Sequence, residues 1–307
     1  MPTFARTNRP YRMSRALRRL PARVFAAALP AVCLLVLCGC GDGGRGPAPE
    51  ATAPDANAPG AASQLPPPIA EVYRTHADAL PADRDVAYDL DLTFGGKPRY
   101  RGRITQSPSM DRLRVRRAAD GAELRYDGTR VALVRSGASA ADTSAADAGW
   151  PRARFDVFTW PYFFAAPFKL ADPGTRWASM RDWAWADGEA TPGAKLTFAS
   201  GTGDAPDDYY VVVPDAAGRL GGMAYIVTLG KDAAAIAAAE PHAIRYGDYR
   251  DVGGVPVAHA WTFYNWNERD GLNGEPIGHA TLDNVTWVER DAAAYTTAGG
   301  EAVAAPE

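Results

Sequence analysis

The chain has 307 residues, 47% of them hydrophobic, which suffices for one large or two small domains with a real core and excludes wholesale disorder. Its 30 glycines and 25 prolines exclude a long-helix or coiled-coil protein. Removing the seven arginines before residue 40 moves the formal net charge from −3 to −10, which argues against a globally basic nucleic-acid binder.

Taken in chain order, the first forty residues read as an address. Basic residues up to Arg23 precede an apolar run from Val24 to Leu37, the length of a signal-peptide core and short of the ~20 residues of a membrane span. The run ends Leu37-Cys38-Gly39-Cys40, which resembles a bacterial lipobox with Cys38 where Ala or Ser is commoner. Residues 1–39 are therefore expected to be a lipoprotein signal peptide, starting at Met1 or Met13, with Cys40 as the lipidated residue. All three cysteines, Cys33, Cys38 and Cys40, fall in or at the end of this segment, so the folded body has no internal disulfide, cysteine zinc site or cysteine nucleophile. Gly41 follows Cys40 where an inner-membrane retention signal would place Asp, although Asp42 comes next. The expected address is the outer membrane facing the periplasm, with the membrane as partner through the lipid.

Residues 40–68 contain almost no large apolar side chain before Leu65 and read as a disordered Pro/Ala/Gly tether, with ~85 Å of reach if fully extended. The body is expected over 69–291, followed by a frayed tail over 292–307. Ile69, Val72, Tyr73, His76 and Leu80 recur at helical spacing, and Pro81 ends that helix. From Val86 to Phe94 the period is two. A Gly95-Gly96-Lys97 loop would set Leu92 opposite Tyr100, Tyr88 opposite Ile104, Asp91 opposite Arg101 and Asp89 opposite Arg103, matching apolar with apolar and acid with base. Asp127-Gly128 reads as a two-residue hairpin pairing Leu124 with Val131. Residues 136–149 are small and polar, hence a loop.

Phe155 to Leu170 carries seven large rings and reads as a short helix broken by Pro161 and Pro167. Further strands are expected over 194–199, 209–213, 220–229, 242–251, 255–266 and 279–288. The strand 255–266 is apolar on both faces, so something covers each side, the aromatic segment and the first helix being the available covers. About eleven strands with few helices predict a mainly β protein, a curved antiparallel sheet forming an unclosed β-barrel plugged by short helices.

The string FDVFTWPYFFAAPFKLADPG, followed by IRYGDYRDVGGVPVAHAWTFYNW, resembles an uncharacterised family of exported bacterial lipoproteins over about Ile69 to Val288. That family is similar in architecture to the lipoprotein carriers of the Lol pathway, which implies a half-barrel with helices on its concave face and, by analogy, binding of an acyl chain or other hydrophobic ligand. The rings Phe155, Phe158, Trp160, Tyr162, Phe163, Phe164 and Phe168, with Trp261 and Phe263, are the candidate ligand wall; core packing is the commoner use of such rings.

Other chemistry is sparse. His76, His242, His259 and His279 form no metal-binding spacing, and no nucleophile elbow or phosphate loop occurs. No metal, cofactor, catalytic residue, nucleic-acid partner or obligate oligomer is expected. Arg99, Arg101, Arg103, Arg112, Arg114 and Arg116 form a basic stripe for which cross-strand pairing is favoured over an anionic-lipid contact. The readings carried forward are a ligand-binding lipoprotein, a structural or partner-binding envelope lipoprotein, and a hydrolase with an unrecognised site.

Overall fold

The computed structural model describes residues 65–135, 150, 152–203 and 205–304. Contacts divide the chain into two units, Met1–Thr52 and Ala53–Glu307, and every described residue belongs to the second. The signal, Cys40, nearly all of the tether and the 136–149 loop lie outside the described residues.

The second unit begins with helix α1 (Pro67–Ala77), which buries Ile69, Val72 and His76. Five antiparallel strands follow as β1 (Arg84–Phe94), β2 (Lys97–Gln106), β3 (Leu113–Arg117), β4 (Glu123–Tyr126) and β5 (Val131–Val134). After helix α2 (Ala153–Ala165) come β6 (Thr175–Trp177), β7 (Arg181–Ala184), β8 (Ala190–Phe198), β9 (Tyr209–Pro214) and β10 (Leu220–Tyr225). Helix α3 (Ala233–Ala237) precedes β11 (His242–Val252), β12 (Val255–Asn267), β13 (Gly271–Glu289) and β14 (Glu301–Val303). The strand order is β14-β5-β4-β3-β2-β1-β13-β12-β11-β10-β9-β8-β6, with β7 paired to β8. All pairings are antiparallel, and the edge strands β14 and β6 do not meet. The protein is thus mainly β, built on one large unclosed sheet of 14 strands, with its helices few and short.

The β1–β2 register is the one expected, Leu92 opposite Tyr100, Tyr88 opposite Ile104, Asp91 opposite Arg101 and Asp89 opposite Arg103. It is reached differently. Gly95 (φ 55°) and Gly96 (φ 71°) make a two-residue turn, and a bulge at Arg99 absorbs the extra residue. The bulge turns Arg99 out of the basic stripe, onto Asp156 of α2 at 2.7 Å. The other five arginines are paired with acids: Arg101 with Asp91, Arg103 with Asp89, Arg112 with buried Asp85, and Arg114 and Arg116 with Glu123.

The β4–β5 hairpin departs from expectation. Leu124 faces Leu133, and the loop is four residues, Asp127 to Arg130. The Asp127 carboxylate accepts from the backbone N–H groups of Thr129 (3.1 Å) and Arg130 (2.9 Å), so a side chain closes a longer turn than the Asp-Gly pair suggested. The two-residue slip keeps each side chain on its intended face.

Pro161 does not break the aromatic helix. It lies buried within α2, and only at Ala166–Phe168, which includes Pro167, does the chain tighten into a 3-10 turn. Burial of the rings outweighs the proline penalty of ~3 kcal/mol. Residues 292–304 are no frayed tail either. A turn at Ala292–Tyr295 buries Tyr295, whose hydroxyl donates to Asp85 at 2.7 Å, and β14 adds to the edge of β5.

The inner face of β12 is covered from Val255 to Phe263, whereas on the other face Ala260, Thr262 and Tyr264 stay half-exposed and Trp266 is covered. Val257, Trp261 and Phe263 join α1 and α2 in the main core. Trp266 joins Trp183, Trp185, Val211, Val213, Ala224 and Ala243 in a second cluster, so at that end the cover is the segment carrying β7 and not α1. Trp185 lies so close to Gly222 that a Cβ there would sit 2.1 Å from its ring.

Candidate functional site

Helix α2 buries residues on most of its circumference, and its two stripes do different work. Asp156, Trp160 and Phe164, spaced i, i+4, i+8, face inward. Asp156 is buried and accepts from Arg99 (2.7 Å), Trp150 Nε1 (2.9 Å) and Trp160 Nε1 (3.0 Å), which fixes the start of the helix. Phe164 stacks on Tyr88 with centroids 4.6 Å apart. Further along, Gln106 donates to the Pro161 carbonyl (3.2 Å) and Tyr246 to that of Phe163 (3.0 Å). The helix is held from the sheet by side chains at both ends.

Arg154, Phe158 and Tyr162 form the other i, i+4, i+8 stripe, and with Thr159 and Phe163 they make one wall of a cavity of about 510 Å³. On one side stand Ser109 and Met110 of the β2–β3 turn, Tyr126 and Thr129; on the other, Phe198, Tyr210, Tyr225, Val227 and Leu229. The cavity reaches solvent at Thr129, Pro173 and Gly203, all exposed. It lies where α2 spans the gap left by the unclosed sheet.

Of the nine rings singled out in the sequence, Phe158, Tyr162 and Phe163 line this cavity. The other six do not. Phe155 sits under the Arg152 guanidinium (3.9 Å) and against Trp160 (5.5 Å), and Phe168 meets His76 edge-on at 6.1 Å. Trp261 and Phe263 pack under Phe163 at 6.5 and 6.1 Å, inside the core. The gap beside Phe164, Phe168 and Trp261 measures about 20 Å³, space for about one water and not for a ligand.

Sequence reasoning missed the strand-borne half of the wall and its charged groups. Tyr210 stacks on Tyr162 at 5.2 Å and meets Phe198 edge-on at 5.8 Å. Lys169 donates to the Ser109 carbonyl (2.9 Å) and pairs with Asp172. Burial pushes the Asp172 carboxyl above the usual range, offset in part by Lys169. Burial also raises Asp208, against hydrogen bonds from the Thr228 hydroxyl and N–H, both 2.7 Å. Burial, then the charges of Asp172 and Asp208, push the Tyr162 phenol upward, so both carboxylates act on that hydroxyl.

Among the described residues no group of three or more His, Cys, Asp or Glu is placed to hold a metal. None of their helices is long and apolar enough to cross a membrane.

Neither protein-family models nor curated proteins give a match. Solved structures do. The chain is similar to a LolA superfamily protein from Nitrosomonas europaea, with TM-score 0.46 and 9% identity over 75% of this chain and 96% of that one. It is similar also to a DUF1329 family protein from Desulfovibrio piger, with TM-score 0.39 and 9% identity over 76% and 98%. At such identity the likeness concerns the fold, and the chemistry is read from the cavity itself.

Proposed function

We propose that this is an exported envelope protein, lipid-anchored through Cys40, that takes an acyl chain or another ligand of similar apolar character into the cavity beside α2. The observation that carries this reading is the cavity of about 510 Å³ walled by rings from both α2 and the strands. Its size falls within the ~300–1,000 Å³ of small-molecule sites. Ten methylenes transferred from water at ~0.8 kcal/mol each would gain ~8 kcal/mol, which less the cost of immobilising the ligand corresponds to binding weaker than micromolar. The anchor rests on the Leu37-Cys38-Gly39-Cys40 run, and Gly41 directs it to the outer membrane.

One observation favours a hydrolytic reading, namely that burial raises both Asp172 and Asp208 in a cavity wall. Both are already engaged, Asp172 by Lys169 and Asp208 by Thr228, and no histidine or cysteine lines the cavity among the described residues. Ligand binding without chemistry is the better account.

The test is titration of the full-length chain with a neutral apolar fluorescent probe, N-phenyl-1-naphthylamine. Thr159→Trp, which fills the cavity from a half-exposed position, should abolish binding, whereas Phe164→Leu, in the core, should leave it within a few-fold of wild type. Phe163→Asp should also abolish it, but this buries an unpaired carboxylate and needs a folding control. Wild-type protein that binds no probe, or Thr159→Trp protein that binds it unchanged, would refute the reading and favour a structural or partner-binding envelope protein.

A further inference from the structure

We infer, building on the ligand-binding reading above, that the ligand's polar end is cationic, an ammonium held between Asp172 and Asp208 against the Tyr162–Tyr210 ring pair. The two carboxylates come from separate segments of the chain, yet both line the cavity, and the Tyr210 hydroxyl that donates to Asp208 at 3.4 Å belongs to the ring stacked on Tyr162.

Each retains acceptor capacity. Asp208 uses one oxygen for the two bonds from Thr228, while the other receives only the Tyr210 hydroxyl at 3.4 Å. Asp172 meets Lys169 through one oxygen. An ammonium has donors to spare and no acceptor, so it completes what these carboxylates lack. The rings beside them add a second, independent attraction. Tyr162, Tyr210 and Phe198 line the same space, and aromatic faces draw cations by their quadrupoles.

The cations nearby are already committed or lie elsewhere. Lys169 is shared between Asp172 and the Ser109 carbonyl. Arg154 lies over the Phe158 ring and donates to the Val303 carbonyl at 3.4 Å. Lys231 is exposed and acts on Asp208 from outside the lining residues. An anionic end would have to take Lys169 or Arg154 from an existing partner, whereas a cationic end can use the carboxylate oxygens that Lys169 and Thr228 leave open.

The experiment displaces a neutral fluorescent probe, N-phenyl-1-naphthylamine, from the full-length chain with dodecylammonium or dodecanoate, both below their micelle concentrations. The cation should displace the probe at about tenfold lower concentration, the equivalent of one ion pair or cation–π contact of ~1.4 kcal/mol. Asp172→Asn should erase or reverse that preference, since it also releases Lys169, and Asp208→Asn should narrow it. Because Asp208 also secures Thr228, a misfolded Asp208→Asn protein leaves Asp172→Asn to decide. Equal displacement by the two amphiphiles, preference for dodecanoate, or a preference unchanged in folded Asp172→Asn protein overturns the inference and leaves the cavity reading standing. Failure of the wild type to bind the neutral probe overturns both.

Discussion

His76 joins α1 to two strands, and its removal makes a stability prediction with a pH signature. Its Nε2 accepts from the Leu220 N–H at 3.2 Å, and Phe168 and Tyr249 flank it at 6.1 and 5.8 Å. Burial lowers its pKa from 6.5 to about 4, with Asp215 opposing and Arg219 assisting to smaller extents. The unfolded chain therefore takes up this proton first as pH falls. Stability from the neutral imidazole is present in full above pH 6.5 and is lost progressively toward pH 4. At ~1.36 kcal/mol per unit the whole loss is about 3 kcal/mol, of which about 2 kcal/mol falls between pH 7 and pH 4.5. His76→Gln keeps an acceptor for Leu220 and cannot titrate. Urea denaturation followed by tryptophan fluorescence at pH 7, 5.5 and 4.5 should show the wild-type advantage over His76→Gln shrinking by about 2 kcal/mol, because every other titrating group is common to both proteins. A difference that stays constant across that range would refute the reasoning.

Two further outcomes are expected. Cys40→Ser should leave the precursor uncut or release the protein from membranes on fractionation, and correctly cleaved Cys40→Ser protein fully retained in the membrane fraction would contradict the anchor. Tyr295→Phe removes a hydroxyl bound to fully buried Asp85 and should cost about 1–3 kcal/mol in the same denaturation assay, whereas a loose tail would show no change.

What the sequence made legible was whatever local chemistry specifies by itself. The β1–β2 register could be read because apolar and charged residues alternate on both strands, so only one pairing satisfies both faces. The β4–β5 register could not, since the Asp127 side chain caps a longer loop with bonds that no dipeptide pattern encodes. Proline rules misjudged Pro161 because tertiary burial decides the fate of α2. The helical half of the cavity was visible as a run of rings, with Phe158, Tyr162 and Phe163 among them. Its strand half was not, because β9 begins Tyr209-Tyr210 and continues with three valines, so both faces look alike and only the assembled sheet shows that Tyr210 points inward. Asp172 and Asp208 sit in connecting segments, where carboxylates are ordinary.

The cavity depends on the sheet remaining open, and the energetics favour that state. Closing it would pair β14 with β6, each three residues long, and return a few backbone hydrogen bonds at ~1 kcal/mol apiece. Closure would also displace α2 from the gap. Trp160, Phe163 and Phe164 are buried there, and aromatic side chains of ~150 Å² or more each, at ~25 cal/mol per Å², represent ~11 kcal/mol. The Arg99, Trp150 and Trp160 bonds to Asp156 would be lost as well. The bulge that turns Arg99 toward α2 therefore does more than adjust a hairpin, for it supplies the half-buried cation that pairs with buried Asp156 and fixes the helix across the opening. With the helix so held, Phe158 and Tyr162 face a space that the sheet leaves unfilled, and that space opens to solvent without any strand being displaced.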